Sequence, residues 1–332
     1  MDITIIIPPG PGGVCDFVDN LSNNLSTKHK VTKLEWEKES KDTILEQILI
    51  TECVYLQYSG YGYAKRGAPF WLLNQILKHR KQIKHFGVFF HELYAFAPPW
   101  SSAFWLSPSQ RHIAKRLAEL SDFWLTNRET SAVWLKQFAK NKPYAVLPVI
   151  SNVGELTTYH QYRAPKVVIF GGSELRYKTY IAAGDALFTW AKLQHLEIHD
   201  IGPKIIDKNL SEKLTENSVA IHGRLPEANI SQLLSNTMFG LMAYPLEYIA
   251  KSGVLAAFCA HGVCPILISK SYPPTSVDGL LPNQHFLTGV PKSVCIPSIA
   301  AEIGQASWLW YQTHRLETHI EIFNDILTKA QH

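Results

Sequence analysis

Short runs of consecutive apolar residues alternate along the chain with longer segments whose apolar positions return every three or four residues. That alternation is the pattern of a parallel sheet carrying helices on both faces. Residues 3–7 predict a first strand, followed by the turn PPGPGG and a helix over 16–26. Residues 31–36 and 53–57 read as further strands, and 86–90 (FGVFF) as a buried one ending at His91 and Glu92. A helix is expected over 109–120, with Ser107 and Pro108 as start signals. Strand 123–126, helix 131–138 and strand 144–147 close this set. Residues 150–165 (ISNVGELTTYHQYRAP) show no sustained period and read as a linker.

The alternation then restarts. Strand 166–170 leads through a glycine turn to a helix over 178–193, and strands follow at 197–201, 219–222, 240–243 and 264–267. Residues 298–329 are strongly helical with no strand left to serve. The expected architecture is α/β, with two Rossmann-like domains facing a cleft. Residues 1–155 and 166–300 form the two domains, and a C-terminal helix within 301–332 crosses back to the first.

A length of 332 residues suits two such domains, and 46% hydrophobic with 18% charged residues permits two sizeable cores. The net charge of +4 accords with handling phosphate-bearing ligands and falls far short of a nucleic-acid binder's basic stripe. The five cysteines (Cys15, Cys53, Cys259, Cys264, Cys295) are odd in number and show no zinc spacing, so free thiols in a reducing compartment are expected. The N-terminal run lacks a positive flank and no apolar stretch reaches membrane-spanning length. A cytoplasmic location follows as the expectation.

In open α/β sheets ligands bind beyond the carboxyl ends of the strands, so the residues just after each strand carry the chemistry. In Pro8 to Asp16 (PPGPGGVCD), Gly12 and Gly13 let backbone N–H groups approach an anionic or sugar ligand at a helix start and are expected among the donor-binding residues, although a simple tight turn explains the same glycines. His91 and Glu92 could bond ligand hydroxyls or merely cap structure. In FGGSELRYK, Gly171 and Gly172 precede Arg176 and Lys178. Cations in a first helical turn oppose the macrodipole, which argues for a bound anion. In YPLEYIAKSG, Lys251, Ser252 and Gly253 open an apolar helix as a phosphate site would, and Glu247 precedes them.

Taken in order, GGV-x-D after the first strand, HE after a mid-domain strand, the basic glycine turn, and HGRLP…GLMAYPLEYIAKSG…AAFCAHGVCPIL resemble the GT-B glycosyltransferases of family 4, which retain the configuration of the transferred sugar. The resemblance covers nearly the whole chain and is strongest over residues 222–265. It implies a nucleotide-sugar donor, UDP- or GDP-linked, with His91 near the reacting centre and Arg176 and Lys178 on the diphosphate. It also makes Glu247 the first acid of the family's E-x7-E pair, facing His91 across the cleft. The second acid has no counterpart, since Leu255 and Ala257 stand at the two alignments. No cofactor and no metal are implied, and the chain never places Asp two residues from Asp.

The aromatic stretch after the HE pair, residues 94–106, falls on the acceptor side, with Asp16, Glu92, Tyr94 and Trp100 facing a carbohydrate or lipid-linked acceptor. The basic run at 78–84 (KHRKQIK) could touch anionic lipid at a membrane surface, or be a solvated helix end. The rival to a transferase is a catalytically weak relative that binds a nucleotide sugar or a partner. A sugar-nucleotide epimerase would share the fold.

Overall fold

A run such as DITIII, branched at Cβ in five of six positions, favours extended backbone and forms the first strand, β1 (Asp2–Ile7). In the computed structural model the described residues are 1–38, 42–95, 100, 102–272, 275–294 and 297–330, without the side chains of 42–45 and 102–103. The chain divides into two compact units, Met1–Pro148 with Leu316–His332, and Val149–Arg315.

The first unit continues through α1 (Gly13–Leu25), β2 (Lys30–Glu35), α2 (Asp42–Ile50), β3 (Cys53–Tyr58), α3 (Gly60–Tyr63) and α4 (Phe70–His79). It is completed by β4 (His85–Phe90), α5 (Ser102–Leu120), β5 (Phe123–Thr126), α6 (Glu129–Ala139) and β6 (Tyr144–Val146). All six strands are parallel, in the order β2-β1-β3-β4-β5-β6. The order reverses between β1 and β3. Central β3 is buried at every position, whereas edge β2 (KVTKLE) exposes its lysines and glutamate, as the two environments require. On one face Leu72, Leu73 and Ile76 of α4 and Ile113 and Leu117 of α5 cover Leu56, Val88 and Phe90.

The second unit runs β7 (Ala164–Phe170), α7 (Ser173–Leu193), β8 (Glu197–Ile201), α8 (Lys208–Glu216), β9 (Ala220–Gly223), α9 (Glu227–Ser235) and β10 (Thr237–Ala243). A 3₁₀ turn (Leu246–Lys251), α10 (Gly253–Ala260), β11 (Cys264–Ile268), β12 (Leu287–Thr288) and α11 (Pro297–Gln312) follow. Its sheet is also six parallel strands, β12-β11-β10-β7-β8-β9, reversing between β7 and β10. The fold is thus α/β with two Rossmann-like units.

Four features depart from the sequence reading. Helix α5 begins at Ser102, so Pro108 lies inside it instead of near its start. One forgone backbone bond is tolerable where Ile113, Ala114, Leu117 and Ala118 are fully buried farther along. Helix α7 begins five residues early and breaks at Gly184, whose φ of 55° and ψ of −148° are not helical. The segment read as a linker is packed onto the second unit. Val149 N–H donates to Ala250, Ser151 N–H to the Tyr311 hydroxyl at 2.7 Å, and that hydroxyl donates to Glu155 at 2.6 Å.

Lastly, the C-terminal helix is two helices. After α11 the chain turns at 313–315, and α12 (Leu316–Lys329) belongs to the first unit. There Phe323 packs on Tyr55 at 4.7 Å and Phe123 at 5.9 Å. Burying such a ring contributes about 2–3 kcal/mol. His319 is 3% exposed and donates from Nε2 to the Pro148 carbonyl, and burial lowers its pKa to about 4. Cys15, Cys53, Cys259 and Cys264 are free thiols, while Cys295 lies outside the described residues. Among the described residues no helix is long and apolar enough to cross a membrane.

Candidate functional site

The carboxyl edge of each sheet is built by its own strands. In the first unit β1 delivers the chain into the glycine turn, and α1 starts at Gly13 with Gly12 as its N-cap. Glycine has no side chain to cap with, so the first N–H groups of α1 have no side-chain acceptor. The turn is held from beneath by the Cys15 thiol, which donates to the Gly10 carbonyl at 3.0 Å. Helix α3 presses on it, since a methyl group at Gly62 would stand 2.7 Å from Pro8. Asp16 is exposed in the first turn of α1, and partial burial together with Asp19 raises its pKa.

His91 sits at the end of β4 as expected, but its ring is turned inward and is 6% exposed. It stacks on Phe89 at 4.4 Å, meets Phe17 edge-on at 5.3 Å, and donates from Nε2 to Gln57 at 2.9 Å. Asn127, at the end of β5, donates to the His91 carbonyl. Gln57 and Asn127 are fully buried, and among the described residues Gln57 Nε2 and Asn127 Oδ1 have no protein partner. Buried polar demand of this kind is met by water or by a ligand hydroxyl. Beside them Ser59 donates to Glu92 at 3.2 Å.

The expected aromatic acceptor wall divides in two. Tyr94 packs between Trp134 at 5.4 Å and the Arg111 guanidinium at 4.3 Å, whereas Trp100 is 87% exposed. Residues 96–99 and 101 lie outside the described residues.

In the second unit two helices begin beside the point where strand order reverses. Helix α7 starts after Gly171 and Gly172, the latter an N-cap with no side-chain bond. Helix α10 starts at Gly253, and the Ser252 hydroxyl accepts the Leu255 N–H at 3.1 Å. The two starts adjoin, because a methyl group on Gly171 would lie 3.1 Å from Val254 in the first turn of α10. Buried Thr179 of α7 accepts the Ala243 N–H at 2.9 Å and ties the end of β10 to the same corner.

Arg176 corrects the sequence reading. It is 1% exposed, and its guanidinium is spent inside the fold: Nε donates to the Gly171 carbonyl at 3.0 Å, Nη1 to Asp200 and Nη2 to the Pro203 carbonyl. It therefore locks the ends of β7 and β8 together instead of presenting a charge to an anion. Gly202 makes room for it, since a side chain there would overlap both the Gly171 carbonyl and the guanidinium. Lys178 is exposed on the helix flank and pairs with Glu174 at 3.0 Å. A legible signal for the Arg176 partner was Asp200 within the strand at 197–201, because an acid buried in a sheet demands a cation.

Glu247 and Lys251 lie in the 3₁₀ turn between β10 and α10, Glu247 exposed and Lys251 half-buried. The positions of the missing second acid, Leu255 and Ala257, are apolar and buried in α10. Three exposed cations unremarked in the sequence also follow strand ends: Lys204 after β8, Arg224 after β9 and Lys270 after β11. Two adjoining helix amino termini, each carrying roughly half a positive charge, with cations on the surrounding loops, are chemically suited to a diphosphate.

No family model matches the chain, and no curated protein matches it. Solved structures do. UDP-GlcNAc 2-epimerase from Neisseria meningitidis bound to UDP-GlcNAc is similar at 12% identity, over 99% of this chain and 100% of that one, with a TM-score of 0.59. AviGT4, a glycosyltransferase involved in avilamycin A biosynthesis, is similar at 13% identity, over 99% and 98%, with a TM-score of 0.52. A chain of the GtfA/B complex matches at 16% identity and a TM-score of 0.51, over 87% of this chain, which spans 59% of that longer one. Identities this low establish the fold alone, the GT-B fold.

Proposed function

We propose that this protein is a glycosyltransferase that takes a sugar from a UDP- or GDP-linked donor, with the donor diphosphate at the adjoining starts of α7 and α10. The reading rests on one observation: both helix amino termini open at the β7/β10 reversal, and Gly172 leaves the first of them without a side-chain cap. Negative charge grows on the leaving phosphate as the glycosidic bond breaks. Fixed N–H dipoles stabilise that charge without reorganising. Lys251, Ser252 and Gly253 supply the second half of this cradle, and exposed Glu247 accepts bonds from donor-sugar hydroxyls. The absence of any Asp-x-Asp pair accords with a reaction that relies on these groups and needs no metal.

The first unit would then hold the acceptor. Gly12 and Gly13 allow a close backbone approach, and Asp16 and Glu92 offer carboxylates to an acceptor hydroxyl. Partial burial raises the Asp16 pKa, which suits that carboxylate to accept a proton. His91, buried against Phe89, acts through its backbone and its Gln57 contact. Retention of configuration and family 4 membership belong to this proposal through the motif resemblance.

A decisive test is Gly172→Asp. Residue 172 has φ −61° and ψ 153° and open space around its Cβ, so aspartate fits and is a strong N-cap. The variant should melt at or above the wild-type temperature yet lose at least tenfold in affinity for UDP or GDP, measured by calorimetry. Unchanged affinity would remove the diphosphate from this corner. A second reading, epimerisation, draws on the likeness to the UDP-GlcNAc 2-epimerase. NMR of a UDP-sugar incubated with the protein separates them, because transfer or hydrolysis releases UDP whereas epimerisation returns a nucleotide sugar inverted at one carbon. Binding without either product would mark a catalytically weak relative, consistent with the apolar Leu255 and Ala257.

A further inference from the structure

We propose that His199 and His222 form an acid-released latch that holds the edge strand β9 to β8. The proposal stands independently of the transferase reading. It starts from geometry. His199 Nδ1 and His222 Nε2 lie 2.9 Å apart, with ring centroids 5.2 Å apart and planes 9° from parallel. Two imidazoles cannot place their centroids appreciably farther apart at that contact distance. The two nitrogens therefore point straight at each other, with one proton between them. On the other side of its ring, His199 Nε2 lies 3.3 Å from Glu197 Oε2. A carboxylate accepts, so Nε2 carries the His199 proton and leaves Nδ1 bare for the His222 N–H. The result is a directed chain from His222 through His199 to Glu197.

This chain takes up protons unequally. A first proton, on the outer nitrogen of exposed His222, leaves the N–H···N bond in place and strengthens it by charging its donor. A second has to enter at His199 Nδ1, the acceptor of that same bond. Both rings then turn N–H groups and positive charge towards each other, and the bond is lost. His199 is 8% exposed, and burial is the main cause that holds its pKa below the ordinary histidine value. Lys166 on β7 and His222 on β9 lower it further, while Glu197 on its own strand raises it. A cavity of about 520 Å³ lies alongside, and its lining adds Lys192 and His195 at the end of α7. The latch is thus closed at neutral pH and opens as pH falls below about 6.5.

What the latch holds is short. Strand β9 has four residues and, among the described residues, pairs with β8 alone, across a register shift between Asp200 and Ile201. Beyond the shift, Gly202 N–H donates to the Gly223 carbonyl at 2.8 Å. Gly202 is the residue that makes room for the Arg176 guanidinium, and exposed Arg224 follows β9 directly. Opening the latch slackens the wall of that clamp and frees the loop that carries Arg224.

The test is residue-resolved amide hydrogen exchange of the full chain, corrected for the intrinsic effect of pH, at about pH 7.5 and about pH 5. Opening of residues 220–223 should rise about tenfold or more towards acid, relative to central β7, which reports global unfolding. His222→Gln gives the sharpest contrast. Its amide oxygen accepts from a protonated His199 and its nitrogen donates to a neutral one, so β9 should be protected equally at both pH values. Glu197→Gln removes the group that favours the His199 cation and should move the opening to lower pH. Lys166→Gln should move it to higher pH. Unchanged melting temperatures at neutral pH establish that each variant is folded. Nitrogen NMR at neutral pH should find His199 protonated at Nε2 alone. An opening of β9 that rises no more than that of β7 overturns the proposal. So does a His222→Gln strand as acid-sensitive as wild type, or a neutral His199 protonated at Nδ1.

Discussion

The two sheets share one topology and end in different chemistry. Each reverses strand order beside its first strand, and each sends that strand through glycines into a helix whose N-cap is a glycine without a side-chain bond. In the second unit a buried ion pair, Arg176–Asp200, clamps the ends of β7 and β8, and a second helix, α10, starts alongside. In the first unit no such ion pair lies beneath the turn among the described residues. A polar layer of Gln57, His91 and Asn127 lies at the ends of β3, β4 and β5, sheathed in aromatic rings. Topology provides the corner in both cases. Whether that corner suits a diphosphate or a hydroxyl-bearing ligand depends on the charged and polar residues set behind it.

Removing the clamp is the largest expected perturbation. Arg176→Ala leaves Asp200 buried with only the Tyr180 hydroxyl, 3.0 Å away, as a polar side-chain partner in the bonds described, and should cost about 3–5 kcal/mol in urea unfolding. A cost below about 1 kcal/mol would show that Arg176 is not a structural lock. Acid offers a more even comparison, because each unit carries a deeply buried histidine whose pKa burial lowers to about 4. His261 donates to Ala257 and accepts from Ser231, His319 donates to Pro148, and both have pKa lowered to about 4.

The unfolded chain protonates histidine first, near pH 6.5, so this stability is complete above that pH. It is lost as pH falls from 6.5 towards 4, by about 3 kcal/mol per histidine. Melting temperature followed over that range should drop in wild type and drop less in His319→Gln. An identical slope in the variant would remove His319 as a source of the acid sensitivity.

Smaller effects sharpen the contrast between the corners. Gly12→Asp caps α1 as Gly172→Asp caps α7, at an extended φ of 165° with open space around Cβ. It should leave UDP and GDP affinity within about twofold, against the tenfold or greater loss at Gly172. Matching losses would mean that the nucleotide does not distinguish the two units. Glu247→Ala should weaken a nucleotide sugar more than the bare nucleotide by about 1–1.5 kcal/mol, the net value of a hydrogen bond or two. Equal weakening by calorimetry would take the carboxylate away from the sugar.

The alternation of apolar runs and amphipathic segments was enough to assign α/β class and nearly every central strand, because period and burial are local consequences of residue order. The glycines before α1 and α7 and the Ser252 start of α10 were legible for the same reason. Arg176 was not. A first-turn arginine reads as a phosphate ligand until Asp200, 24 residues later, is placed on the neighbouring strand and Gly202 opens the space between them.

The inward turn of His91 depends likewise on Phe17 and Gln57, which are distant in sequence and adjacent only across the sheet. The basic run at 78–84 reads as one charged surface, yet Arg80 is paired with Asp122 and Lys84 with Glu52. Backbone pattern is set by neighbours along the chain. The direction of a charge is set by which partner reaches it first in space, and that depends on the packed fold.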